Sequence, residues 1–136
     1  SKVIEACGGD VNGKTVAILG VTFKPNTDDM RDAPSLEIIP ALQKAGATVR
    51  AFDPAGTVEA EKLLQKVEFV SGPYFCSEGA DVLVIITEWN EFRALDMKRL
   101  KSTMKAPVLV DLRNIYTLEE ATNAGFAYTS VGRPEG

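Results

Sequence analysis

The sequence predicts an α/β fold: a doubly wound parallel sheet of about six strands with helices on both faces. Three observations carry that prediction. Short apolar runs alternate along the chain with segments of helical periodicity. The runs VAIL, VLVII and VLV are apolar without interruption, as strands buried on both faces are. A helical segment separates each strand from the next, and β-α-β crossovers of one hand build a parallel sheet.

The elements follow in order. SKVIEAC reads as the end of a helix, stopped at Gly8 and Gly9. A chain that opens on a helix end looks like a piece of something longer. TVAILG, from Thr15, is the first strand. PSLEIIPALQKAG is a helix: Leu36, Ile39 and Leu42 recur at helical spacing, Pro34 suits the first turn and Gly46 the end. Pro40 removes a hydrogen bond inside that helix and predicts a kink. TVRAFD is a strand, TVEAEKLLQ a short helix, VEFV a weak strand and PYFCSEGA a short helix. DVLVIIT is the clearest buried strand. NEFRAL and DMKRLKSTM are helical, PVLVD is a strand, LEEATNAG a short helix and FAYTSV the last strand. There is no internal repeat, low-complexity tract or linker.

The 136 residues suit one domain with one buried core. Apolar residues make up 45% and charged residues 25%, an ordinary soluble profile. A net charge of −4 argues against a broad nucleic-acid footprint. No apolar run approaches the roughly 20 residues that cross a bilayer, and SKVIEACGGD is not built like a signal peptide. The expected setting is cytoplasmic, with neither nucleic acid nor membrane as partner. Cys7 and Cys76 lack the spacing of a disulfide framework or a zinc site, and both read as inert. There is no histidine. That removes the usual general base, the triads that depend on it and histidine metal sites.

In a doubly wound sheet, ligands bind beyond the carboxyl ends of the strands, where the strand order reverses. The loop GVTFKPNTDDMRDAPS, Asp53, Thr87-Glu88-Trp89 and Asp111 to Asn114 all fall at that edge. The connection from Val21 to Ala33 exceeds the ~2–6 residues usual for such loops, which is a functional hint. Between Gly20 and Gly46 there is no glycine. Glycines let a backbone approach a pyrophosphate, so conventional NAD binding by this domain is rejected. Lys24 offers a point charge for a phosphate or sugar hydroxyl, and Pro25 holds it extended. Arg31 offers a planar fork for phosphate or carboxylate. The competing reading is a solvated loop whose Asp28, Asp29, Arg31 and Asp32 balance one another, and on composition alone that reading leads. Asp53 stands where dinucleotide folds keep a ribose-binding acid. Without the glycine loop it reads as a turn former before Pro54. Trp89 reads as packing. Arg113, directly after VLVD, is equally open to a ligand role. A phosphorylatable signalling module is disfavoured: strand one ends in Gly20, strand three runs into Ser71-Gly72, and Leu112-Arg113 follows strand five.

These blocks also match something specific. The run GVTFKPNTDDMRDAPS, then L-x-x-x-G-A-x-V-x-x-F-D-P, then TEWNEF and VLVDLRNIY, closely resemble the C-terminal, UDP-binding domain of the UDP-glucose/GDP-mannose dehydrogenase family. The wording is most like the bacterial members that oxidise UDP-glucose. The resemblance implies a Rossmann-like fold. It implies that residues 1–14 end a central linker helix and its connector, and that 15–136 are the UDP-sugar-binding domain. It implies a parent enzyme that oxidises UDP-glucose to UDP-glucuronate with two NAD, held mainly by another domain, and that assembles as a homodimer or higher homo-oligomer. By resemblance Phe23, Lys24 and Arg113 contact the UDP-sugar, and Arg31 reaches the bound NAD. Related enzymes acting on GDP-mannose or UDP-N-acetylmannosamine carry similar loops, so the sugar nucleotide stays open among these. The family's catalytic cysteine lies in G-G-x-C-x-P-K-D, which does not occur here, and Cys7 in EACGGD has the wrong neighbours. No catalytic or metal-binding residue is expected in this chain, and alone it is expected to be inactive.

Overall fold

Strands without a polar face need cover on both sides, and the chain supplies it by sending its earlier helices to one face of one sheet and its later helices to the other. A computed structural model describes residues 2–130. The strands are β1 (Thr15–Leu19), β2 (Thr48–Phe52), β3 (Val67–Phe69), β4 (Val82–Ile85), β5 (Val108–Asp111) and β6 (Ala127–Ser130). The helices are α1 (Lys2–Ala6), α2 (Ser35–Lys44), α3 (Thr57–Leu63), α4 (Pro73–Ser77), α5 (Asn90–Arg93), α6 (Met97–Thr103) and α7 (Leu118–Asn123). The strands form a six-stranded sheet in the order β3-β2-β1-β4-β5-β6, and every neighbouring pair is parallel.

Alternation along each strand divides the core in two. Val16 and Ile18 of β1, with Val82 and Val84 of β4, pack under α1, α2 and α3 through Val3, Ile39, Leu42 and Ala60. Ala17, Leu19, Leu83 and Ile85 face the other way, onto Cys76, Phe92, Leu100 and Ala121 of α4 to α7. All eight strand residues are fully buried, which is why these runs carry no polar position. The predicted doubly wound architecture is therefore the observed one. Its direction reverses between β1 and β4. There the register aligns Leu19 with Phe52 on one side and Ile85 on the other, and Ile85 with Asp111. The exits of four strands thus share one edge.

Each predicted element is present. The expected disturbance at Pro40 does not end α2, which runs on to Lys44 with Pro40 exposed. The weak strand VEFV shortens to β3. α6 is capped by Asp96, which accepts from Arg99 N, and α7 by a reciprocal box between Thr117 and Glu120. Val131, the last residue of the predicted final strand, lies outside the described residues.

Gly20 closes β1 with φ +86°. A Cβ there would lie 2.6 Å from Thr87 Cβ and 2.8 Å from Thr87 N, so the β1 exit rests directly on the β4 exit. Gly20→Ala is expected to destabilise the fold by about 3 kcal/mol, from left-handed strain plus overpacking. Urea unfolding measures this, and a midpoint equal to wild type would contradict the contact.

Candidate functional site

The carboxyl edge is organised by a buried carboxylate. Asp53, 4% exposed, follows β2. Its Oδ1 accepts from Ala55 N at 2.9 Å and Gly56 N at 2.7 Å, the turn predicted for it. Its Oδ2 does something the sequence did not reveal. It accepts from Val21 N at 2.8 Å and Thr22 N at 3.2 Å, the first amides of the long loop. The Thr22 hydroxyl is shared between Oδ2 at 3.2 Å and the Lys24 carbonyl at 3.1 Å. A buried carboxylate is costly unless donors surround it, and here the donors are the loop itself. Gly56 makes room for this: a Cβ there would sit 2.3 Å from Thr22 Cγ2.

Two more buried hydroxyls fix the same segment. Ser35, the first residue of α2, donates to the Val21 carbonyl at 2.6 Å. Thr87, after β4, donates to the Thr22 carbonyl at 2.7 Å. The Phe23 amide donates to the Asp29 carbonyl at 2.9 Å and closes the loop across its base. The left-handed turns that glycine usually takes fall to Asn26 and Asp32, at φ 63° and 57°. Short polar side chains tolerate that conformation best among non-glycine residues. Beyond this frame Phe23 is 47% exposed, although it is a large apolar residue. The Lys24 side chain is exposed and makes no hydrogen bond or ion pair among the described residues.

Arg31 lies on the far arm of the loop. Its guanidinium meets Asp29 side-on, with Nε 3.1 Å from Oδ1 and Nη2 2.9 Å from Oδ2, while its own amide donates to Oδ1 at 2.9 Å. The solvated-pair reading thus holds for these two residues, with Arg31 still 89% exposed. The hydrogen bonds from Arg31, with its charge, hold the Asp29 carboxyl down at about 2, against an ordinary 3.8. Both line a groove of about 570 Å³ with Thr27, Met30, Leu36 and Glu59, which neither Phe23, Lys24 nor Arg113 lines.

Arg113 sits on the β5 exit. Its amide donates to Asp111 Oδ1 at 3.1 Å, and its guanidinium reaches across to Glu88 Oε2 on the β4 exit, at 2.6 Å from Nη2. Asp111 is fully buried and also accepts from Tyr116 N and the Tyr128 hydroxyl, each at 2.9 Å. The fold therefore joins Phe23 and Lys24 to Arg113 through neighbouring exits: Thr22 to Thr87, then Glu88 to Arg113. It places Arg31 on a different groove. Trp89 is buried in the second core cluster, as a packing residue.

Neither cysteine thiol is activated. Burial raises the Cys7 thiol, and near-complete burial pushes Cys76 up to about 12. No cluster of metal-ligating side chains occurs among the described residues, and none of their helices is long and apolar enough to cross a membrane. The arrangement is suited to holding an anionic ligand. The sequence reading placed Asp53 and Glu88 at this edge and Asp53 in its turn, but their pairings with Val21, Thr22 and Arg113 escaped it because those partners are distant in the chain. The F-D-P placement at a strand exit was the available signal for Asp53.

Removing the Asp53 carboxylate strands four amides, three of them in buried hydrogen bonds. Asp53→Ala is expected to cost about 3 kcal/mol or more in urea unfolding, and a loss below ~1 kcal/mol would refute its anchoring role. A depressed carboxyl stabilises the fold above its unfolded pKa, and that contribution fades as pH falls toward the folded value. Asp29 should therefore titrate by NMR at about 2, its contribution fading from 3.8 downward. In Arg31→Ala the midpoint should return toward the ordinary value, and an unchanged midpoint would dismiss the pair as its cause.

Comparison with known proteins agrees with this geometry. Residues 17–118 match the UDP-glucose/GDP-mannose dehydrogenase family, UDP binding domain. The chain is 58% identical over 134 residues to a UDP-glucose 6-dehydrogenase of Rhizobium meliloti, covering 98% of this chain and 31% of that protein. It is 44% identical over 127 residues to UDP-glucose 6-dehydrogenase TuaD of Bacillus subtilis, covering 93% of this chain and 28% of that protein. Among solved structures, an NDP-N-acetyl-D-galactosaminuronic acid dehydrogenase from Methanosarcina mazei superposes with a TM-score of 0.82 at 30% identity, over 97% of this chain and 27% of the other. A UDP-glucose dehydrogenase from Pyrobaculum islandicum gives 0.75 at 29% identity, over 94% and 27%. The chain spans under a third of the length of these curated relatives. It belongs to the UDP-glucose/GDP-mannose dehydrogenase family and corresponds to that family's UDP binding domain.

Proposed function

We propose that this chain is the UDP-sugar-binding domain of an NAD-dependent UDP-glucose 6-dehydrogenase. The observation that carries the proposal is the loop from Val21 to Ala33. It is pinned at the switch point by Asp53, Ser35 and Thr87, yet presents an exposed Phe23 and an unpaired Lys24. A fixed backbone with a free cation suits a diphosphate, and an exposed aromatic ring suits the face of a base or sugar. In this reading Phe23, Lys24 and Arg113 hold the UDP-sugar. They contribute orientation, which lowers a barrier when the reacting partners are held elsewhere. The identity to named UDP-glucose 6-dehydrogenases supports glucose as the sugar.

The loop does not fit an NAD pyrophosphate. It has one glycine, Gly20, and that glycine is packed against Thr87. In this reading NAD is held mainly by another domain of the parent protein, which is in keeping with a chain that spans under a third of its curated relatives' length. Arg31, 89% exposed, is the residue assigned to reach it. The parent enzyme takes UDP-glucose to UDP-glucuronate with two NAD, as a cytoplasmic homodimer or higher homo-oligomer. Residues 1–14 belong to its linker, and 15–136 to the UDP-sugar domain.

Thermal shift with UDP, GDP and NAD tests the reading. A ligand at 100 times its Kd adds about 2.7 kcal/mol of stability. UDP is expected to raise the Tm and Lys24→Ala to remove that response. A larger shift with NAD would contradict the loop assignment, and one with GDP would change the nucleotide. The chain alone, given UDP-glucose and NAD, is expected to form no NADH, and appreciable turnover would overturn the division of labour between domains.

A further inference from the structure

Glu88 has no part in the function proposed above, yet its placement is costly. Both bonds from Arg113, Nη2 at 2.6 Å and Nε at 3.2 Å, end on one oxygen, Oε2. The other, Oε1, is buried and has no hydrogen-bond partner among the described residues. Exposed ion pairs wander and contribute little. A buried acceptor left unpaired carries a desolvation penalty that a casual surface contact would avoid.

The surrounding chain holds Glu88 in place. Thr87 is tied to the loop through its hydroxyl, and Trp89, 7% exposed, donates its amide back to the Thr87 carbonyl at 3.0 Å. Burial alone would raise the Glu88 carboxyl. The Arg113 hydrogen bonds, with the charges of Arg113 and Arg93, outweigh it and hold the carboxyl below its ordinary value. Glu88 is thus ionised at neutral pH.

Arg113 is constrained at both ends. Its amide is bound to Asp111, and the next residue, Asn114, turns in the left-handed region at φ 57°. With the Nε–Nη2 edge on Glu88, Nη1 makes no hydrogen bond among the described residues, and the side chain stays 40% exposed. Arg31 is held by the same edge, on Asp29. There the carboxylate is two residues away in the chain, whereas Glu88 is 25 away, so that pair is a feature of the tertiary fold.

We propose that Glu88 is a positioning residue for the ligand: it holds the Arg113 guanidinium by its Nε–Nη2 edge, so that the Nη1 side engages an anionic group of the sugar nucleotide. This rests on the reading that Arg113 contacts the UDP-sugar. Preordering a guanidinium removes part of the entropy lost on binding. The opposite role, a counter-charge that competes with the ligand for Arg113, predicts an effect of opposite sign.

Calorimetric titration of UDP into the 136-residue chain at fixed ionic strength separates them. Arg113→Ala is expected to weaken binding about tenfold or more, as loss of a charge-assisted contact. Glu88→Ala is expected to weaken it roughly three- to tenfold, and to add nothing in the Arg113→Ala background. Glu88→Gln keeps an acceptor oxygen and is expected to fall between. Without ligand, the Arg113 Nε–H signal in NMR should exchange slowly in wild type and be averaged in Glu88→Ala. Binding by Glu88→Ala as tight as wild type or tighter, beside a weakened Arg113→Ala, would overturn the proposal alone, as would additive losses in the double variant. If Glu88→Ala does not fold, Glu88→Gln carries the same cycle. No UDP binding by wild type, or an unaffected Arg113→Ala, would instead overturn the reading beneath it and the proposal together.

Discussion

The carboxylate of Asp53 is the constraint on which the binding edge depends. It lies buried at the β2 exit and satisfies itself on amides of two segments, its own turn and the start of the long loop. Burying an ion in a protein interior costs several kcal/mol without such donors. The loop therefore cannot leave without stranding the charge, and the charge cannot be removed without stranding the amides. From this point the fixation spreads sideways. Thr22 takes Thr87 on the β4 exit, Glu88 beside it takes Arg113 on the β5 exit, and Asp111 secures the Arg113 backbone. The first two steps join neighbouring strands of the sheet, and the third lies within the β5 exit.

This frame explains how a loop can stand at the switch point without glycines. A glycine loop works by letting its own backbone touch a phosphate. Here the backbone amides nearest β1 are already spent on Asp53. In the proposed reading, side chains beyond the frame remain for a ligand: Phe23, Lys24 and, two exits away, Arg113. Rigid support beneath exposed side chains is a sound design for orientation, because the ordering is done before the ligand arrives.

The fold was legible in the sequence because it is written in local terms. Uninterrupted apolar runs name the buried strands, and their alternation with helical segments names the winding. Even VEFV, the weakest strand, was placed. Pro40 was legible as a defect, but α2 tolerates it on its exposed side. The site was legible only in outline. Lys24 and Arg113 could be placed at the carboxyl edge from their position after a strand. Their surroundings could not, since Asp53 to Val21 and Glu88 to Arg113 are pairings across strands that no local pattern records. Asp53 looked like a turn residue because half of its bonding is a turn. The Asp29–Arg31 pair was anticipated among several charges, and geometry selected it from them.

The Asp53 bonds should hold the start of the long loop as firmly as the sheet. Amide hydrogen exchange at Val21 and Thr22 tests this most directly, because both amides end on the buried Asp53 carboxylate. Protection within about tenfold of that at Ile18 in β1 is the predicted result. Exchange at the rate of an unprotected loop would contradict the account.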